Sequence, residues 1–344
     1  MSGTLQKIEC YPGSKIYLSC PAGVATGGPE ALHQFGHHLI LLGFNAFMYY
    51  YHSPESTGLV HENYKKYNVP YVSELENSRE HVLIIPETHL SSVFCKKFSR
   101  VRKVVWWLSV ANYYIILNQQ IARSQRKKKK SLGLSVLFGT FKIASFASLK
   151  EKNVLHIGHS YHSMVHLREN GIEPVGQVSD YMNDAFFERA DEKAEKEDII
   201  IYNPKKNDDF LGDIMNQTKE LNWKPLSGMS PAEVAYWMNR AKLYIDFGYH
   251  PGKERMPREA CIMRCCMIIG KSGSAVYAED MPIPEKYRFG KSKSEIPGII
   301  SLIKECLANY DKLIGDFEPY RKVLYREKEK FIDDISTVFT KAAK

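Results

Sequence analysis

The strongest restriction on how this chain can fold is a series of short apolar runs, each ending in glycine or a polar residue. Lys15–Ser19 runs into the glycine-rich turn Cys20–Glu30, and Asn45–Tyr51 and Val69–Val72 come next. Val82–Ile85 ends in Pro86-Glu87-Thr88-His89, Lys103–Leu108 in Ser109, and Asn153–Ile157 in Gly158-His159-Ser160. A second series holds Asp198–Tyr202, which ends in Asn203-Pro204-Lys205-Lys206, then Asn222–Leu226, Leu243–Phe247 and Met267–Ile269. Helical stretches lie between them, such as Pro29–Leu42 and Pro231–Arg240 with Ser230 as its cap. Strands alternating with helices imply right-handed crossovers and parallel sheets. The expected fold is therefore α/β, with two facing Rossmann-like, doubly wound parallel-sheet domains. They are expected over residues 1–180 and 181–325, with 326–344 a helix packing back toward the first. The linker is expected at Val178–Asn183 and in the charged run from Glu188 to Asp198.

In such sheets functional residues collect beyond the carboxyl ends of the strands, in the cleft between the two domains where strand ends from both sides meet. The richest of these ends is Asp246–Ala275, which carries His250, Gly252, Lys253, Glu254 and Arg255 and predicts a helix from Pro257, with Arg258 and Glu259 in its first turn. A helix start offers unpaired N–H groups and partial positive charge, so the pattern suits an anion. A charged loop in an ordinary βαβ unit is the plainer alternative. The turn Gly270–Ala275 comes after the next strand and completes the expected phosphate site.

Bulk composition narrows the field. At 344 residues, 44% hydrophobic and 25% charged, the chain is globular and long enough for two domains. Its seven cysteines form no CxxC pair and sit in apolar surroundings, which predicts reduced, buried thiols in a cytoplasmic protein. The first fifteen residues lack an apolar signal core, and no apolar run is long enough to span a bilayer. The net charge of +8 is partly one run, Arg123–Lys130. With the adjoining apolar segment, residues 123–149 (within an insertion at about 119–150) suit an anionic membrane surface, on the inner face of the cytoplasmic membrane; a solvated loop is the alternative. Stacking aromatics are not interleaved with these cations, so no nucleic acid is expected as a partner.

Several sharper motifs fail. Gly23–Gly28 is not GxGxxG, and the Gly270-Lys271-Ser272 end of a P-loop has Cys265 where the upstream glycine belongs. His159, His162 and His166 share a helical face without cysteine or carboxylate neighbours at ligand spacing, so no metal or other cofactor is expected. What remains is a nucleoside-diphosphate site. Lys205, Lys206, Lys253, Arg255 and Arg258 are candidates for the phosphates, and Glu259 for ribose hydroxyls. Gly27 and Gly28 are candidates for backbone approach to the diphosphate or sugar. Glu30, Glu87, His89, Ser109, His159, His250 and Glu254 are candidates for contacts to a sugar or an acceptor.

These residues resemble those of bacterial glycosyltransferases of the two-Rossmann, GT-B type, and the likeness covers most of the chain. Pro251–Ala260 is similar to the E-x7-E region of the family-4 enzymes, sharing Gly252, Pro257, Glu259 and Ala260, with Pro251 where the first glutamate belongs. Tyr202–Lys206 resembles that family's first strand of the donor domain, Gly27-Gly28-Pro29-Glu30 its GG-x-E turn, and Val178–Asn183 the linker of polysaccharide-biosynthesis members. The resemblance implies metal-independent, retaining transfer of a sugar from a UDP- or GDP-sugar donor to a saccharide or lipid-linked acceptor in cell-surface polysaccharide synthesis. Glu259 would hold the ribose, and Lys206 would act on the departing diphosphate. An inverting enzyme would need a general base, for which Glu87 or His159 is the candidate. A nucleotide-sugar epimerase on the same fold and a non-catalytic sugar- or nucleotide-binding protein are the alternatives.

Overall fold

The short apolar runs assemble into parallel sheets. In the computed structural model residues 7–51, 60–130, 143–206 and 209–342 are described. The chain divides into two units, Met1–Asp180 with Lys330–Lys344, and Tyr181–Glu329. The division falls inside Val178–Asn183, so the charged run from Glu188 to Asp198 belongs wholly to the second unit and is not the connection it was expected to form.

The first unit contains β1 (Ile8–Cys10), β2 (Lys15–Pro21), β3 (Asn45–Tyr51), β4 (Tyr71–Val72), β5 (Val82–Pro86), β6 (Arg102–Trp107), β7 (Leu155–Gly158) and β8 (Gly176–Gln177). Seven of these form one sheet in the order β4-β3-β2-β5-β6-β7-β8, every neighbouring pair parallel. Chain order reverses between β2 and β5, which makes that the topological switch point, outside whose carboxyl edge ligands bind in open α/β sheets. Residues on both faces of the central strands are buried, as a sheet covered on both sides requires. Leu83 and Ile85 of β5 join Val105, Trp107, Leu149 and Leu167 in one apolar cluster. The buried indoles find partners: Trp106 donates to the Val178 carbonyl at 2.9 Å and Trp107 to His156 Nδ1 at 3.0 Å.

A feature the sequence did not suggest closes this unit. Phe339–Lys341 is a strand that pairs in parallel with β1, where helix alone was expected over the C-terminal residues. Both strands are three residues long, too short for a period-2 pattern to register. Phe331 on the preceding helix, Glu327–Val338, meets Phe35 and His38 edge-on.

The second unit holds β9 (Glu197–Tyr202), β10 (Asn222–Pro225), β11 (Ala241–Asp246), β12 (Cys266–Gly270) and β13 (Arg288–Phe289), in the parallel order β10-β9-β11-β12-β13. Its switch point lies between β9 and β11. The core gathers Ile199–Ile201, Leu243–Ile245 and Cys266–Ile269, with Ile303, Phe317 and Leu324 from the later helices. Helix Pro231–Arg240 has the predicted bounds, with Ser230 and Glu233 forming a capping box.

Arg123–Lys130 ends a long helix, Val110–Lys130, rather than standing as a loop. Residues 131–142 of the basic and apolar segment lie outside the described residues. Among the described residues no helix is long and apolar enough to cross a membrane. Cys95 is exposed; Cys10, Cys20, Cys261, Cys265, Cys266 and Cys306 are buried, and all are free thiols.

Candidate functional site

The switch point of the second sheet is built from the segments that leave β9 and β11. Lys206 comes shortly after β9, and the loop from Gly248 to Glu254 comes after β11. Gly248 makes their approach possible: a Cβ there would lie 2.7 Å from Lys206 Cβ, 2.8 Å from its carbonyl oxygen and 2.9 Å from Asp246 Oδ1. Asp246, fully buried, accepts from the Gly248 amide at 2.8 Å and from the Tyr244 hydroxyl at 2.8 Å. The end of β11 is thereby locked, and Lys206 makes an ion pair with Glu254 across the gap. Lys205 is exposed, its amide donating to Asn203 Oδ1 at 3.0 Å.

The helix after this loop spans Arg255–Ile262, with Glu254 as its extended cap residue, so it starts earlier than the expected Pro257. Proline is accommodated in this first turn because the first N–H groups of a helix have no partner within it. Glu259 is buried and lies 3.1 Å from the half-exposed Arg255 guanidinium. Burial pushes its carboxyl pKa up, against the pull of Arg255, Arg258 and Arg189.

Lys253 and Arg258 were expected to face a diphosphate. Instead they converge on Glu327, at 2.7 Å and 3.1 Å, in a nearly closed ionic cluster. Arg258 also donates to the backbone carbonyls of Lys253 at 3.0 Å and Glu254 at 3.3 Å. These cations therefore brace the loop. Nothing in the sequence marked Glu327, which stands far along the chain in the first turn of the last long helix.

The turn Gly270–Ala275, expected as part of the phosphate cradle, packs against the loop instead. The Ser274 amide donates to the His250 carbonyl at 2.8 Å and its hydroxyl to the Gly252 carbonyl at 2.6 Å. Gly273 has φ of +59°, and a Cβ there would fall well inside contact distance of the His250 carbonyl. His250 is thus pinned by its backbone and fully buried, yet no described residue hydrogen-bonds either ring nitrogen. Asp246 is 3.8 Å from Nε2, beyond hydrogen-bond reach. An unmade bond at a buried polar group costs about 1–3 kcal/mol. Burial lowers the His250 pKa, with Asp246 opposing and Lys206 adding to the shift.

In the first unit every strand of the large sheet runs the same way, so the turn after β2, Glu87, Ser109 and His159 fall on one edge. Gly27 and Gly28 open helix Gly27–Leu41, whose cap residue Thr26 provides no side-chain hydrogen bond to the first turn. A Cβ at Gly27 would meet nothing within 4 Å, so packing does not demand the glycine. Glu30, in that first turn, accepts from the Tyr67 hydroxyl at 3.0 Å. Glu87 is fully buried just after β5 and accepts from the Leu108 amide at 2.9 Å. Burial pushes its carboxyl up to about 7, although its own amide, those of Leu108 and Ser109 and the Asn112 side chain favour the charged form. Ser109 accepts from the Asn112 amide at 3.1 Å, at the start of the next helix. His89 stacks on Tyr51, ring centroids 3.6 Å apart, and hydrogen-bonds Ser19 at 2.9 Å. His159 pairs through Nε2 with Asp180 at 3.2 Å, leaving Nδ1 unpartnered among the described residues. Among those residues no group of three or more His, Cys, Asp or Glu is placed to hold a metal ion.

The candidate residues therefore form two groups, one on the carboxyl edge of each sheet. Neither a family model nor a curated protein sequence matches the chain. Solved structures do. Anabaena HepE, determined in complex with UDP and glucose, aligns with a TM-score of 0.61 at 10% identity, over 94% of this chain and 98% of that one. Sucrose-phosphate synthase from Thermosynechococcus elongatus aligns with 0.57 at 12% identity, over 94% and 97%. A glycosyltransferase from Rickettsia africae aligns with 0.52 at 13%, over 94% of each chain. With two Rossmann-like units, each built on a parallel sheet, this chain has the GT-B fold of glycosyltransferases.

Proposed function

We propose that the protein is a glycosyltransferase that moves a sugar from a nucleoside-diphosphate sugar to an acceptor hydroxyl. The observation that carries this reading is the set of charged groups at the β9/β11 switch point. Lys206, with Lys205 beside it in the chain, pairs with Glu254, the cap of the helix that opens at Arg255, and this cap residue makes no side-chain bond to the first turn. The charge that develops in sugar transfer is on the departing diphosphate. Cations and helix N–H groups stabilise it without reorganising. Lys206 takes the phosphates once it leaves Glu254, and Lys205 and Arg255 add charge-assisted bonds. Glu259, held by Arg255, accepts from the ribose hydroxyls. Lys253 and Arg258 hold the loop in place through Glu327. HepE was determined with UDP and glucose, which supports UDP as the nucleotide, with GDP as the alternative.

Transfer with retention needs no strong base, and in this reading no metal either. The acceptor is a saccharide or lipid-linked hydroxyl, met by the first unit through Glu30, Glu87, His89, Ser109 and His159. Residues 123–149 provide contact with an anionic membrane surface, at the inner face of the cytoplasmic membrane. The test is release of nucleoside diphosphate from a panel of UDP- and GDP-sugars, with and without lipid-linked and free saccharide acceptors. Release that depends on an acceptor is expected. Interconversion of the sugar nucleotide without release would identify an epimerase, and no turnover of any donor would leave a binding protein.

A further inference from the structure

The position of His250 has a consequence beyond the phosphate contacts. Its ring is fully buried, and no described residue hydrogen-bonds Nδ1 or Nε2. The backbone that carries the ring is held in place, because Ser274 bonds the carbonyls of His250 and Gly252, and Gly273 closes against the same backbone. Asp246, whose oxygens accept from Tyr244 and Gly248, stays 3.8 Å from Nε2, beyond hydrogen-bond reach. Buried polar groups in folded proteins nearly always have partners, so one held rigidly without any points to a partner that arrives. Gly248, two residues before His250, packs directly on Lys206, which pairs with Glu254, so the ring stands on the same loop as the proposed donor site.

The chemistry of the ring says what arrives. A neutral imidazole has one N–H and one bare nitrogen. A phosphate oxygen suits the first and is repelled by the second, whereas a hydroxyl, donor and acceptor at once, suits either. We propose that His250 is a specificity-determining residue that hydrogen-bonds a hydroxyl of the transferred sugar, its ring becoming reachable when the diphosphate draws Lys206 away from Glu254. This rests on the donor-nucleotide reading above.

His250→Phe tests it, because phenylalanine keeps a ring of similar size and removes both nitrogens. Calorimetric titration with UDP, and with UDP-glucose, UDP-galactose and UDP-N-acetylglucosamine, separates the nucleotide from the sugar. The wild type is expected to bind at least one UDP-sugar more tightly than UDP. His250→Phe is expected to melt no lower than the wild type, to keep its affinity for UDP, and to lose roughly five- to tenfold of the sugar's advantage, the worth of one hydrogen bond. An advantage that survives the substitution overturns the proposal, as does equal weakening of UDP and UDP-sugar, or a wild type that binds no UDP-sugar better than UDP. A wild type that binds no UDP at all, and no GDP, sinks the donor reading itself. Should His250→Phe not fold, the wild type labelled with 15N-histidine gives the answer: a His250 ring signal that moves with UDP-sugar and not with UDP supports the contact, and one that moves with neither refutes it.

Discussion

The Arg258 guanidinium lies 3.1 Å from the Glu327 carboxylate, and both side chains are only 3% exposed. Lys253 reaches the other oxygen of the same carboxylate at 2.7 Å. Removing one member of a buried ionic group leaves an uncompensated charge, which costs about 3–5 kcal/mol. Glu327→Ala is therefore expected to destabilise the protein by that amount in urea denaturation, because it strands two cations. A loss of under about 1 kcal/mol, the range of an exposed pair, would show that water reaches the cluster.

Glu87 sets a pH dependence of stability. Its carboxyl, ordinarily at 4.5, is raised to about 7 by burial. Between those values the folded protein keeps a proton that the unfolded chain has lost, so stability falls as pH rises through the window. The fall is on the order of 3 kcal/mol for this group, and the penalty persists at higher pH. Glu87→Gln has no charge to bury. It is expected to melt above the wild type at pH 8 and to lose that advantage toward pH 4.5. A melting difference that does not change with pH contradicts this assignment.

Gly273 combines a left-handed backbone with a Cβ position already filled by the His250 carbonyl. Gly273→Ala must accept about 1–2 kcal/mol of backbone strain and then move the loop. It is expected to lose at least that much stability in urea denaturation, and nucleotide affinity with it. An alanine variant as stable as the wild type would mean that the loop is not held as described.

The sequence displayed the longer strands and the polar residues at their ends, because apolar runs bounded by glycine and charge are local signals; the two-residue strands Gly176–Gln177 and Arg288–Phe289 were not read from it. The strand pair of Ile8–Cys10 with Phe339–Lys341 was hidden, since each strand is too short to show a period and each makes sense only beside the other. Within the site, the sequence offered Lys206 and Glu259 as candidates, but not the pairing that divides the cations among different carboxylates. Lys253, Arg255 and Arg258 look alike in the chain. Only the fold brings Glu327 to two of them and leaves Arg255 half-exposed beside Glu259. The Gly270–Ala275 turn hides its role in the same way: only the fold shows Gly273 packed closely on the His250 backbone.

Every role proposed above depends on the β9/β11 edge binding a nucleoside diphosphate. Thermal-shift titration of the wild type, Lys206→Ala and Glu259→Ala with UDP and GDP tests that binding. The wild type should be stabilised by one of the two nucleotides, by about 2.7 kcal/mol at a hundred times its dissociation constant. Each variant should lose about 1.5–3 kcal/mol of binding, the worth of a hydrogen bond to a charged group, and with it most of the shift. A wild type whose melting temperature neither nucleotide moves, or variants that bind as well as the wild type, would contradict the assignment of this edge.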